Sequence, residues 1–181
     1  YIITNQGLKL PKSEVVVDKF LTPIWEDRTK IMKNIRQHRS LELTHKMLGQ
    51  YKGWGGGGFM AYEVVTDLSY TPVLHWPYDK LTWANAGPGA IRGLNRIHQR
   101  DLKKSLNSKQ ANDEMFELLR VARRHLKDSC VPILQVDMRT IEHSLCEWDK
   151  YERVRLGQGK PRGLFRVEQA ITKTPVTGAV N

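Results

Sequence analysis

The sequence predicts an all-α protein in a single domain, and three observations carry that prediction. Apolar residues recur at helical spacing through most of the 181 residues. Helix-start residues (Ser40, Pro88, Asn107) stand just ahead of the apolar runs. Strand-like alternation is confined to residues 131–136. A hydrophobic share of 40% and a charged share of 27% suit a globular chain long enough for one core. One helical domain over residues 1–181 is expected, with a hairpin and pocket core at 40–155 and a basic arm at 156–181.

Residues 1–12 read as an irregular lead-in ending at Pro11, with Ser13 as N-cap and Glu14 in the first turn. Val16, Val17, Phe20, Leu21, Ile24 and Trp25 then form a helical stripe that Ile31 and Ile35 extend, read as core. Pro23 predicts a kink near Thr22, since its ring clashes with the preceding turn. Ser40 caps a short helix over 41–49, with Leu41, Met47 and Leu48 on its apolar side. Residues 53–58 form a tight turn, because each glycine inside a helix costs up to about 1 kcal/mol. Helical spacing resumes from Phe59 to Leu68, and the proline- and aromatic-bearing stretch 69–82 reads as an ordered loop. Pro88 suits the first turn of a helix running to about Arg100.

Asn107 or Ser108 caps a helix over 109–127 whose buried face is Met115, Phe116, Leu118, Leu119, Ala122 and Leu126. Pro132 interrupts. A last helix over 135–154 carries the apolar stripe Met138, Ile141, Leu145 and Trp148. From Arg155 onward glycines, prolines and cations make an extended arm.

A net charge of +10 with a pI near 9.7 points to a polyanionic partner, most commonly nucleic acid. Cys130 and Cys146 supply neither a disulfide framework nor a zinc site, so a reducing, cytoplasmic setting is expected. His38, His45, His75, His98 and His125 show no ligand spacing, and neither metal nor cofactor is expected. No apolar run approaches the roughly 18 residues of a membrane span, and none resembles a signal peptide. The chain opens on Tyr1 rather than Met, which leaves room for an upstream start.

Two glycine turns, each feeding a helix, organise the stretch Leu48 to Arg96. The first, with Leu48 before it, Gly55, Gly56, Gly57 and Gly58 in it and Ala61 at the small helix position, resembles a helix–hairpin–helix. Such hairpins hold DNA backbone through turn N–H groups at a helix N-terminus, without reading sequence. Gly53 and Trp54 add two residues to the usual pattern, or else Trp54 is its buried hydrophobic residue and the insertion follows it. The second, Gly87 to Arg96, resembles the Asp-x-x-Val-x-Arg-Val-x-x-Arg turn of helix–hairpin–helix DNA glycosylases. Arg92 and Arg96 keep both arginines, while Gly87 replaces the Asp used in base excision. The resemblance implies a DNA-glycosylase-like helical domain without glycosylase chemistry.

Three blocks, Gly57 to Leu74, Thr82 to Ile97 and Ile141 to Phe165, are similar to the alpha-glutamyl/putrescinyl thymine pyrophosphorylase family of phage and bacterial DNA hypermodification. The resemblance implies DNA containing modified thymine as substrate and an amine or amino acid as co-substrate. The pyrophosphate of an activated 5-hydroxymethyluracil leaves and the amine takes its place. Such chemistry asks for a flipped base, cations on the leaving group and a base for the amine.

On this reading Arg92 and Arg96, one turn apart, face the pyrophosphate or ordinary DNA phosphate. Asn85 bonds the base edge or caps the following helix. Asp67, expected to be at least half buried, is a candidate base or an anchor for an arginine; Glu63 is a weaker one. In the last helix Glu142 or Glu147 accepts the amine proton with His143 assisting, and Lys150 and Arg153 face phosphate. The same charges also read as surface salt bridges at helical spacing. Both charged strips, Glu142–Cys146–Asp149–Arg153 and His143–Glu147–Lys150, are expected to lie off the apolar stripe. Lys160, Arg162 and Arg166 belong to a backbone-contacting arm, and Trp54, Trp76 and Trp83 are packing or stacking residues. Base excision through another carboxylate and a purely DNA-binding hairpin are the alternatives.

Overall fold

The computed structural model describes residues 4–56, 58–127 and 132–160. Every regular element among them is helical. α1 (Lys12–Glu14), a π-turn (Val15–Leu21) and α2 (Thr22–Glu26) follow one another directly. After them come α3 (Arg28–His38), α4 (Leu41–Leu48), α5 (Phe59–Leu68), α6 (Pro88–Ile97) and α7 (Ser108–His125). A 3-10 turn (Ile133–Gln135) precedes α8 (Met138–Arg155). Residues 1–149 form one unit and 150–181 a second. No described helix is long and apolar enough to cross a membrane.

The kink expected at Pro23 takes the form of the π-turn. The Thr22 N–H reaches back five residues to the Val17 carbonyl, widening the helix where the proline ring would meet the preceding turn. Pro11, not Ser13, precedes the first helical residue. The wide turn also changes which side chains are buried. Val15 and Phe20 enter the core, whereas Val17, Leu21 and Trp25 are exposed, so the regular stripe drawn through them does not hold.

Ser40 caps α4 as expected, its Oγ accepting from the Leu43 N–H at 3.0 Å. The cap is doubled by Asp79 in the loop before α6. Its carboxylate accepts from the Ser40 hydroxyl (2.6 Å), the Leu41 N–H (2.8 Å) and the Glu42 N–H (3.0 Å). One buried side chain thus satisfies orphan donors of α4 and pins the loop onto it. Asp79→Ala strands these donors and is expected to cost about 2–3 kcal/mol. The check is a lower urea midpoint with an unchanged slope.

α4 and α5 pack together across the glycine turn, whose last described residue, Gly58, holds φ 71° and opens α5. Trp54 in that turn is buried, its indole N–H donating to the Phe20 carbonyl at 2.9 Å. Asn107 caps α7 through the Gln110 N–H, and Asn112 holds the loop by accepting from the Ala84 N–H, both at 2.8 Å. Ala111, Asn112, Met115 and Leu119 are the buried positions of α7, so the face is rotated from the expected one and Phe116 is exposed. Residues 133–135 form the 3-10 turn where a strand was expected; Val131 lies outside the described residues.

α8 departs from expectation in the way that matters most. Its buried positions are Met138, Ile141, Glu142, Leu145 and Asp149, while Trp148 is exposed. Two carboxylates therefore stand on the core-facing side that the apolar stripe alone did not reveal.

Candidate functional site

The site is built where α6 begins against the middle of α8. Two glycines one turn apart permit the approach. A Cβ on Gly93 would lie 2.9 Å from the Leu145 carbonyl oxygen, and one on Gly89 would lie 2.7 Å from Cys146 Sγ. Small residues here let the two helices meet at backbone distance.

Beside them, Glu142 points at the head of α6. Its Oε1 accepts from Cys146 Sγ at 3.4 Å and, at 3.5 Å, from the Gly87 N–H. A Cβ on Gly87 would stand 3.7 Å from the same oxygen. The position that lacks an Asp side chain is thus met by a carboxyl delivered from α8. Glu142 is 6% exposed, and burial raises its pKa despite the opposing pull of Cys146, Arg139 and the Gly87 N–H.

Tyr62 on α5 is the neighbour that sequence reasoning missed. It is 4% exposed, and its hydroxyl has no hydrogen-bond partner of acceptable geometry. The Arg139 guanidinium stands over the ring, 4.8 Å from its centroid, and its charge opposes the rise in the phenol pKa. Burial, then the Glu142 charge, raises the phenol pKa, so the hydroxyl keeps its proton at neutral pH. His45 and Trp83 close the other sides, with centroids 6.3 and 5.7 Å from Tyr62 and 5.4 Å from each other. Burial lowers the His45 pKa, and its Nε2 lies 3.0 Å from the Gly58 carbonyl. A neutral ring facing a carbonyl must carry its proton on that nitrogen. Asn85 is in the same neighbourhood, its Nδ2 3.2 Å from where a Gly58 Cβ would stand.

Arg139 ties this cluster to an open groove. It pairs with both carboxylate oxygens of Glu63, at 2.9 and 3.1 Å, and borders a groove of about 490 Å³ between α5 and α8. Asp67, His143 and Glu147 line that groove together with Thr66, Tyr70, Thr140 and Ser144. The structure therefore brings Asp67, His143 and Glu147 together and sends Glu142 to the adjoining buried side. Asp67 is exposed rather than half buried, because α5 buries Ala61, Tyr62 and Val65 instead.

Arg92 and Arg96 converge on Asp149, each through its Nε, at 2.7 and 3.0 Å. Arg92 keeps 34% of its side chain in solvent, against 9% for Arg96. Gly55, Gly56 and Gly58 lie in the turn before α5; Gly57 lies outside the described residues. Lys150, Arg153 and Lys160 are exposed and belong to the second unit, while Arg162 and Arg166 lie outside the described residues. Tyr62 and Arg139 carried no motif; a tyrosine on the buried face of α5 was the available signal.

Together these features define a helical domain with a buried carboxyl and a buried phenol near a polar groove. A family described as "5-hmdU DNA kinase, helical domain" matches residues 6–160, and the chain belongs to that family. The match places the chain among enzymes of thymine hypermodification in DNA. No curated protein and no solved structure matches it significantly.

Proposed function

We propose that this chain is the base-handling and catalytic domain of a transferase acting on 5-hydroxymethyluracil in DNA. It replaces the pyrophosphate of the activated base with an amine or amino acid. The observation that carries the reading is the buried Glu142 carboxyl at the head of α6, close enough for its charge to act on the buried Tyr62 phenol. The amine nitrogen attacks the 5-methylene carbon, and the C–O bond to pyrophosphate breaks with its electron pair. The proton lost from nitrogen goes to the Glu142 carboxylate. A raised pKa suits Glu142 to that task, and Tyr62 donates a hydrogen bond to a base or leaving-group oxygen.

The remaining roles follow from placement. Asp67, His143 and Glu147 hold the incoming amine in the groove, and Asn85 meets the base edge. Arg92, the more exposed of the Asp149 pair, meets pyrophosphate, with Arg96 behind it. The helix–hairpin–helix reading gives Gly55, Gly56, Gly57 and Gly58 to DNA backbone. Lys150, Arg153, Lys160 and Arg162 are cations for DNA phosphate.

The family description favours a second reading, a domain that presents 5-hydroxymethyluracil to a kinase. One assay separates them. The chain is incubated with DNA carrying 5-pyrophosphoryloxymethyluracil and candidate amines, and digested nucleosides are weighed by mass spectrometry. An amine adduct that is lost in Glu142→Gln with DNA binding kept is the expected result. Tight binding of 5-hydroxymethyluracil DNA with no adduct sinks the transferase reading in favour of presentation. Abasic sites would instead indicate base excision.

A further inference from the structure

We infer that the outer face of α3, with Trp25 just before it, is a second DNA-contact surface holding phosphates and an unpaired base flanking the modified position. The charge is concentrated there. From Arg28 to Arg39 the chain places five Lys and Arg residues and no carboxylate, half of its net charge of +10.

These cations stand in one row without a carboxylate partner, whereas several on other described helices are compensated. Lys46 pairs with Glu42 on α4, and Lys109 with Asp113 and Arg120 with Glu117 on α7, all at helical spacing. Among the described residues, no carboxylate lies within ion-pair distance of Arg28, Lys30, Lys33 or Arg36. The nearest acids in sequence, Glu26 and Asp27, precede the helix, and Asp27 accepts the Tyr51 hydroxyl at 2.6 Å. An unpaired row of like charges repels itself, and a polyanion relieves that repulsion.

Shape adds to charge. Arg28, Thr29, Met32, Lys33 and Arg36 line one shallow depression of about 450 Å³. At its end Trp25 is 67% exposed, with the Arg28 guanidinium 4.5 Å above its ring and fixed by a 2.8 Å bond to the Trp25 carbonyl. A planar cation fixed on an exposed indole is a platform on which any base can stack, next to cations that track the backbone. Met32 is the one apolar side chain lining the depression, too little for a lipid-embedded face.

The inference rests on DNA as the substrate of the family and not on chemistry at Glu142. The test uses the full chain with unmodified single-stranded and duplex DNA, measuring Kd across salt concentrations. Lys33→Gln/Arg36→Gln is expected to reduce the log–log salt slope by about 1.4 to 1.8, reflecting two lost phosphate contacts. Trp25→Ala should weaken single strands at least about fivefold, with duplex affected less. Thermal melting of these exposed-site variants should match the parent, and Glu142→Gln should leave the slope unchanged. A parental slope in Lys33→Gln/Arg36→Gln overturns the inference. So does a loss confined to binding of phosphatidylserine vesicles, which would make this face a membrane surface.

Discussion

Asp149→Ala is expected to destabilise the protein by about 3–5 kcal/mol, the cost of leaving buried charges without their partner. Asp149 is 0% exposed and receives the Nε of both Arg92 and Arg96. Removing it takes a charge partner from two guanidinium groups, of which Arg96 has little access to water. The exposed pair Lys109–Asp113 gives the contrast, with side chains 84% and 63% in solvent. Asp113→Ala there should change stability by less than about 1 kcal/mol. Urea unfolding of both variants against the parent decides the matter; similar losses would show that burial is not what makes Asp149 important. On the proposed function such a loss would also bear on DNA handling, since Asp149 holds Arg92 through its Nε.

How far the sequence reached can be read from these residues. Periodicity and caps place Ser40 ahead of α4, Pro88 in the first turn of α6, and Asn107 or Ser108 at the head of α7, where Asn107 is the cap. Periodicity failed where geometry was not regular. The π-turn at Val15–Leu21 changes the number of residues per turn, and a stripe drawn at α-helical spacing then selects the wrong side chains. It failed again on α8, where Glu142 and Asp149 count as surface residues in any hydrophobic pattern yet face the core. Only the partners reveal why: Gly87 and Cys146 for Glu142, Arg92 and Arg96 for Asp149. Those pairings span more than fifty residues in most cases, and a single sequence carries no local mark of them. Tyr62 was hidden for the same reason, since an aromatic on an apolar face reads as packing until its hydroxyl is found without a partner.

Glu142→Gln is expected to move stability and activity in opposite directions. Burial raises the Glu142 pKa, so the folded chain holds that proton more tightly than the unfolded one. The stability this contributes is complete below the unfolded value near pH 4.3 and is lost as pH rises through the folded value. Glutamine never ionises. The melting temperature of Glu142→Gln relative to the parent should therefore climb as pH rises from the unfolded value through the folded one, and stay flat beyond. Amine transfer should behave conversely. If Glu142 takes the amine proton as proposed, the parental rate falls as acid protonates it. The variant should be slower by at least about 100-fold at pH 7 and should lack that acid limb. A variant that gains stability but transfers amine at the parental rate would make Glu142 a tolerated strain with no part in the reaction. One that loses both would make it a packing residue whose bonds to Gly87 and Cys146 outweigh its burial. Gain in one and loss in the other is the signature of a carboxyl kept in the core for its proton chemistry, at the expense of the fold that holds it.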